Sequence, residues 1–114
     1  MLRALACVFA ITVPLLSQGI SVPFTMNGGA MQVQGAFTLS GGSVCCSGVI
    51  DIGGEQGTFC GGPSYSSGSC IEWRFTVHLD EATYVLKFKV DTQGMLTGYY
   101  YVAGSHAQPV SLYP

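Results

Sequence analysis

The fold is decided by residues 71–102, which read IEWRFTVHLDEATYVLKFKVDTQGMLTGYYYV. Apolar and polar side chains alternate in three runs along this stretch, and polar turns at Asp80–Thr83 and Asp91–Met95 separate the runs. A period of two places successive side chains on opposite faces of a β-strand. The stretch therefore predicts a meander of three antiparallel strands with one apolar face and one polar face.

The apolar positions also predict how these strands pair, because aromatic and β-branched side chains directly opposite each other stabilise a sheet. Aligning such side chains in the first two runs predicts the pairs Trp73–Val90, Phe75–Phe88 and Val77–Leu86. On the polar face, the alignment of the second and third runs predicts the pairs Lys87–Tyr99 and Lys89–Thr97.

A hairpin is predicted before the meander, with strands at Met31–Ser40 and Val44–Ile52. The Ser-Gly-Gly-Ser turn between them brings Leu39 opposite Val44, and apolar positions then face each other along the hairpin. The same register predicts the pairs Phe37–Cys46, Gly35–Gly48 and Val33–Ile50. Two facing glycines leave a dent in the sheet. We expect a large ring from elsewhere to fill it, and Trp73 is the candidate.

The remaining strands are short. One is predicted at Thr58–Cys60 and one near Gln108–Leu112, where Pro109 favours the edge of a sheet. Gly61–Ser69 is predicted to be a loop. The predicted fold is therefore all-β, a small antiparallel β-sandwich or flattened barrel of about seven strands.

The cysteine count predicts that two disulfides staple this fold. Residues 20–114 contain Cys45, Cys46, Cys60 and Cys70, and an even number in a short secreted chain indicates a disulfide framework. Because neighbours in a strand point to opposite faces, we expect Cys45 and Cys46 to have different partners, one bridging to Cys60 and the other to Cys70. The alternative connectivity joins Cys60 to Cys70 and Cys45 to its neighbour Cys46. The spacing lacks the Cys-x-x-Cys pairs of zinc sites, so no metal ligand is predicted.

Residues 1–19 are predicted to be a signal peptide. Arg3 supplies a basic start, Ala4–Leu16 form an apolar run, and small residues lead to a cleavage point after Gly19. The run is shorter than the roughly 20 residues of a membrane-spanning helix. We therefore expect a secreted, extracellular protein whose residues 20–114 form a single β domain without a membrane span.

Charge is sparse in this domain. Without Arg3, the chain carries three basic and six acidic residues, a net charge of −3. Nucleic acids and anionic membranes are bound by strongly basic surfaces, so neither is expected as a partner. The paired glycines are not followed by the helix start or the Lys-Ser/Thr of a phosphate-binding loop, and no cofactor is predicted.

The candidate binding residues lie on the polar face of the meander. They combine tyrosine rings with cationic side chains and comprise Arg74, His78, Lys87, Tyr99 and Tyr101, together with Tyr65 in the Gly61–Ser69 loop. A tyrosine offers apolar area and a hydroxyl group, which suits recognition of a sugar or a protein. The competing interpretation is the ordinary solvated face of a two-faced sheet.

These features favour a secreted, non-enzymatic binding protein of effector, defence or recognition type, acting on an extracellular protein or glycan. A structural or self-assembling protein is the first alternative, because low charge and an edge strand favour edge-to-edge pairing. A small secreted hydrolase is the second. Its only candidate is His78, which a carboxylate at Asp80 would orient. No nucleophile motif accompanies it, and no catalytic residue is predicted.

Overall fold

The computed structural model describes residues 20–66, 70–91 and 93–114, and this part of the chain is all-β. The predicted signal peptide lies outside the described residues. In chain order the strands are β1 Ile20–Gly28, β2 Met31–Ser40, β3 Ser43–Ile52, β4 Glu55–Gly61, β5 Tyr65–Ser66, β6 Ile71–His78, β7 Thr83–Val90, β8 Leu96–Val102 and β9 Val110–Leu112. Within the described ranges, no helix has the length and apolar character needed to cross a membrane.

The strands form two antiparallel sheets. Sheet I contains β1 to β4 and sheet II contains β5 to β9, each in sequence order. The inward side chains of both sheets pack into one hydrophobic core. At one edge the sheets are joined by a bridge in which Asn27 N donates to Tyr113 O at 2.7 Å and Tyr113 N donates to Asn27 O at 2.9 Å. The predicted antiparallel all-β fold is confirmed, and its two layers are sandwich-like.

The described part of the chain has two more strands than the seven that the sequence predicts. The N-terminal strand β1 buries Phe24 and Met26 and was not predicted, because the Asn27-Gly28 pair is typical of a turn. Pro23 is tolerated because β1 is the edge strand of sheet I. The other additional strand is β5, which lies inside the predicted loop and pairs with the start of β6.

The predicted hairpin register is confirmed in full. Leu39 lies opposite Val44, and the pairs Phe37–Cys46, Gly35–Gly48 and Val33–Ile50 all form. The dent at the two glycines is filled by Phe24 and Phe59, not by Trp73. A Cβ atom added to Gly35 would lie 2.7 Å from the Phe24 ring, and one added to Gly48 would lie 2.8 Å from the Phe59 ring.

The predicted register between β6 and β7 is wrong by two residues. Trp73 lies opposite Phe88, and the neighbouring pairs are Phe75–Leu86 and Val77–Tyr84. The turn lies one position earlier than predicted, because Leu79 N donates to Ala82 O at 2.9 Å and closes it there. A shift of two residues keeps every side chain on its face, so the apolar pattern alone does not distinguish the two registers.

The core is dominated by aromatic rings. Phe88 of sheet II reaches both sheets, with its ring centroid 5.6 Å from Phe24, 5.9 Å from Phe59 and 6.2 Å from Phe75. Trp73 is fully buried and packs on Phe37 at 4.7 Å between centroids. Its Nε1 has no hydrogen-bond partner in the described structure. An unpaired buried donor of this kind costs about 1–3 kcal/mol.

The cysteines of β3 and β4 follow the strand alternation. Cys45 and Cys60 are exposed on the outer side of sheet I, whereas Cys46 is buried in the core. No disulfide joins these three to another described residue. Burial, with a smaller contribution from Cys45, raises the pKa of the Cys46 thiol from 9.0 to about 12. The predicted disulfide staples stay a prediction.

Candidate functional site

The six candidate binding residues all lie on the outer face of sheet II, which we call the tyrosine face. It consists of the side chains that point away from the core, namely Glu72, Arg74, Thr76 and His78 of β6, Thr83, Val85, Lys87 and Lys89 of β7, and Thr97, Tyr99 and Tyr101 of β8, with Tyr65 of β5 at its edge. Strand alternation puts them there, because their neighbours in sequence fill the core.

Two rows of side chains cross this face. In the first, Arg74 lies opposite Lys87, and Lys87 lies opposite Tyr99. The pairing of Lys87 with Tyr99 was predicted and is confirmed. In the second row, the residues in order across the strands are Tyr65, Glu72, Lys89 and Thr97. Tyr65 was predicted in a loop, and its place on β5 brings it to the edge of the same surface with 55% of its area exposed.

The two tyrosines of β8 form a stacked pair. The ring centroids of Tyr99 and Tyr101 are 6.3 Å apart with an angle of 24° between the ring planes. Arg74 Nη2 donates to the Tyr101 hydroxyl at 3.5 Å. Val85 lies opposite Tyr101 and is only 5% exposed, although it belongs to the outer face. Tyr101 therefore lies beside a buried side chain, and a substitution of Tyr99 is expected to disturb packing less than one of Tyr101.

The charged groups of the face are arranged around Lys87. Its Nζ lies 3.8 Å from Glu72 Oε1 and 6.0 Å from the centroid of the Tyr99 ring. The side chains of Lys87 and Glu72 keep 35% and 23% of their areas exposed. A solvent-exposed ion pair contributes about 0–1 kcal/mol to stability, so its main effect here is to hold the ammonium group beside the ring.

A shallow pocket of about 240 Å³ opens on the same face. It is lined by Glu72, Lys87, Lys89, Thr97, Gly98 and Tyr99. Lys89 and Thr97 were predicted on the polar face but not as site residues, and Glu72 belongs to that face by the same alternation. Their alternation with buried neighbours was the signal available. Gly98 contributes only backbone to the pocket, and nothing in the sequence distinguished it from the other glycines.

His78 lies at the far end of the face and is not part of this pocket. Its Nδ1 is 3.0 Å from the Thr83 hydroxyl oxygen. The candidate orienting group, Asp80, makes no hydrogen bond or ion pair with it among the described residues, because β6 ends at His78 and the chain turns. The described residues also bring together no group of three metal-ligating side chains.

The outer face of sheet I has a second, smaller pocket of about 60 Å³ lined by Gln32, Gln34, Val49, Asp51 and Gln56. Asp51 is committed to local contacts. Its Oδ1 accepts from Gly54 N at 3.2 Å, and its Oδ2 accepts from Gln56 Nε2 at 3.3 Å. This surface has neither a cation nor an aromatic ring facing the pocket.

Comparisons of the chain with protein-family models, with curated proteins and with solved structures found no match. The tyrosine face therefore has to be interpreted from its own chemistry.

Proposed function

We propose that this chain is a secreted, non-enzymatic binding protein that recognises an extracellular protein or glycan through the tyrosine face. The observation that carries the proposal is the stacked pair of Tyr99 and Tyr101, with Lys87 and Arg74 held beside the two rings. Partly exposed tyrosines provide contact area at low cost in side-chain entropy, and they are enriched in recognition surfaces. The shallow pocket beside Tyr99 supplies a recess for part of a ligand.

The test is the substitution Tyr99→Ala, followed by binding to arrays of glycans and extracellular proteins. Tyr99 is chosen over Tyr101 because the latter lies beside the buried Val85. We expect loss of the wild-type signal, with the free energy of unfolding changed by no more than about 1 kcal/mol. The matched control is Gln34→Ala on the outer face of sheet I, which should bind as wild type. Wild-type binding by Tyr99→Ala would reject the assignment of this surface.

The proposal includes export and two disulfides, and the placement of the cysteines favours one pairing. Cys45 and Cys60 both point outward from adjacent strands, whereas Cys46 points into the core. We therefore propose the bridges Cys45–Cys60 and Cys46–Cys70. Each would form by thiol–disulfide exchange with an oxidised dithiol carrier, which accepts two electrons and two protons.

The first of these bridges requires a small movement of the strands. Cys60 lies opposite Ser47, so Cys45 is its diagonal neighbour. Diagonal positions are about 7–8 Å apart, and disulfides usually join Cα atoms within about 4.4–6.8 Å. Peptide mapping without reduction identifies the pairs, and intact mass should show a start near Ile20 and a gain of about 4 Da on reduction. A retained Met1, or no gain in mass, would contradict export with two disulfides.

A further inference from the structure

Resting on the proposed function, we propose that the tyrosine face binds an acidic saccharide. The ligand would be a short oligosaccharide carrying a uronic acid type of carboxylate. A sugar ring would lie against Tyr99, and its carboxylate would meet the ammonium groups of Lys87 and Lys89 at the pocket.

The first argument is the distribution of charge. Residues 20–114 contain three basic side chains, Arg74, Lys87 and Lys89, and all three lie on this one face. Glu72 is the only acid on β6, β7 and β8, so these three strands carry a net charge of +2, although Asp80, Glu81 and Asp91 lie in the turns at their ends and the domain as a whole carries −3. A cluster of one sign on a surface of the other sign attracts ligands of opposite charge to that place.

The second argument is that two of the three cations are not engaged in ion pairs with the protein's own carboxylates. In the described part of the chain, the only ion pair is the one between Lys87 and Glu72. Lys89 is exposed and lines the pocket, and no carboxylate lies within ion-pair distance of it or of Arg74 among those residues. A ligand carboxylate therefore finds an uncommitted ammonium group at Lys89, beside the ammonium group of Lys87 that is paired with Glu72.

The third argument concerns the shape and chemistry of the pocket. Its volume of about 240 Å³ is below the roughly 300–1,000 Å³ of pockets for drug-sized molecules and fits a single ring. The residues that line it carry an aromatic ring, a hydroxyl group, a carboxylate and two ammonium groups, and most of the lining surface is apolar. Sugar hydroxyls donate and accept hydrogen bonds and therefore use both kinds of lining group. The apolar face of a sugar ring packs on the tyrosine.

The overall charge of the chain limits the length of the ligand. A nucleic acid or a long polyanion would extend beyond the three cations and meet the net negative remainder of the domain. An acidic peptide shares the carboxylate, but the pocket beside Tyr99 is too shallow to anchor a side chain. A short acidic saccharide stays within reach of the three cations and does not need a deep pocket.

The experiment titrates the protein produced from the full-length chain with three probes, followed by NMR chemical shifts at low and moderate salt. The probes are a galacturonic acid disaccharide, the same disaccharide with its carboxyl groups reduced to alcohols, and a Glu-Glu dipeptide with blocked ends. We expect the acidic disaccharide to bind at least fivefold more tightly than the other two, and to weaken as salt screens the lysines. Shifts should be largest at Thr97, Gly98 and Tyr99.

The variant Lys87→Gln with Lys89→Gln should lose at least fivefold in affinity for the acidic disaccharide, whereas Gln34→Ala should bind it as wild type. Equal binding of the acidic and reduced disaccharides would overturn the acidic class while leaving the proposed function intact. Equal binding of Glu-Glu and the acidic disaccharide would overturn the saccharide assignment. No binding of the acidic disaccharide, alongside a Tyr99-dependent signal on the arrays, would overturn this inference alone. If Tyr99→Ala also leaves every array signal unchanged, the proposed function fails as well.

Discussion

The outer faces of the two sheets share one geometry but carry different chemistry. On both, a regular alternation points every second side chain away from the core. Sheet I presents glutamine, serine and threonine side chains with Asp51 as the only charged group, and it also carries the outward thiols of Cys45 and Cys60. Sheet II presents the three cations and the stacked tyrosines. Both sheets are antiparallel and alternate in the same way, so the difference in side chains is the reason that we propose recognition through sheet II.

The largest expected effect is a loss of stability from a substitution in the core that both sheets share. Phe88 contacts Phe24 and Phe59 of sheet I and Phe75 of its own sheet. Phe88→Ala should therefore destabilise the protein by about 3–5 kcal/mol, because it removes a fully buried ring and leaves a cavity between the sheets. Denaturant unfolding followed by the fluorescence of Trp73 measures this change.

The control for Phe88→Ala is Thr25→Ala, an exposed position on β1 that should change stability by no more than about 0.5 kcal/mol. A loss below about 1 kcal/mol for Phe88→Ala would mean that the two sheets do not share this core. The faces would then have to be treated as parts of separate units.

Much of this architecture follows from the period-two pattern, and the errors show what that pattern leaves open. The β2–β3 register was predicted residue by residue because a short Gly-Gly turn fixes it. The β6–β7 register was missed because a shift of two residues preserves both faces, and the turn closed by Leu79 and Ala82 decides between them. Local hydrogen bonding, not the hydrophobic pattern, made that choice.

The tyrosine face, too, was predictable from the sequence in part only. Its membership was predictable, since parity along β6, β7 and β8 assigns each side chain to a face. The pocket was not, because its shape depends on how the side chains of Lys87 and Tyr99 lie around Gly98, which alternation does not determine. Tyr65 reached the face through a strand of two residues, which the Ser64 N to Glu72 O hydrogen bond at 2.8 Å extends. Alternation over two residues is too short to indicate a strand.

The next largest effect is a pH dependence of stability that comes from the buried Cys46 thiol and not from the outward thiols of sheet I. With the disulfides reduced, Cys46 is protonated in the folded and unfolded states below pH 9, and stability does not depend on it there. Above pH 9.0 the unfolded chain loses this proton first, while the folded state holds it until about pH 12. Stability should therefore fall across this window, by roughly 1.4 kcal/mol for each pH unit.

Urea unfolding of the reduced protein from pH 8 to 11 measures this loss, and the control is Cys46→Ala, whose stability should fall less steeply. The difference between the two slopes isolates the contribution of the Cys46 thiol. Alkylation at pH 8 adds a second measurement, since Cys45 and Cys60 should react while Cys46 is protected by burial. Equal slopes, or rapid labelling of Cys46 in the folded protein, would contradict its burial.

The smallest expected effect tests whether the charges around Lys87, and not the net charge of the protein, set the affinity for the acidic disaccharide. Glu72→Gln removes the carboxylate 3.8 Å from Lys87 Nζ, and an exposed pair of this kind contributes little to stability. The free energy of unfolding should change by less than about 1 kcal/mol, whereas affinity for the acidic disaccharide should rise about two- to fivefold, because Lys87 is released to the ligand. Asp51→Asn removes the same charge from sheet I and should leave that affinity unchanged. An equal rise for both variants would mean that net charge, and not the arrangement around Lys87, attracts the ligand.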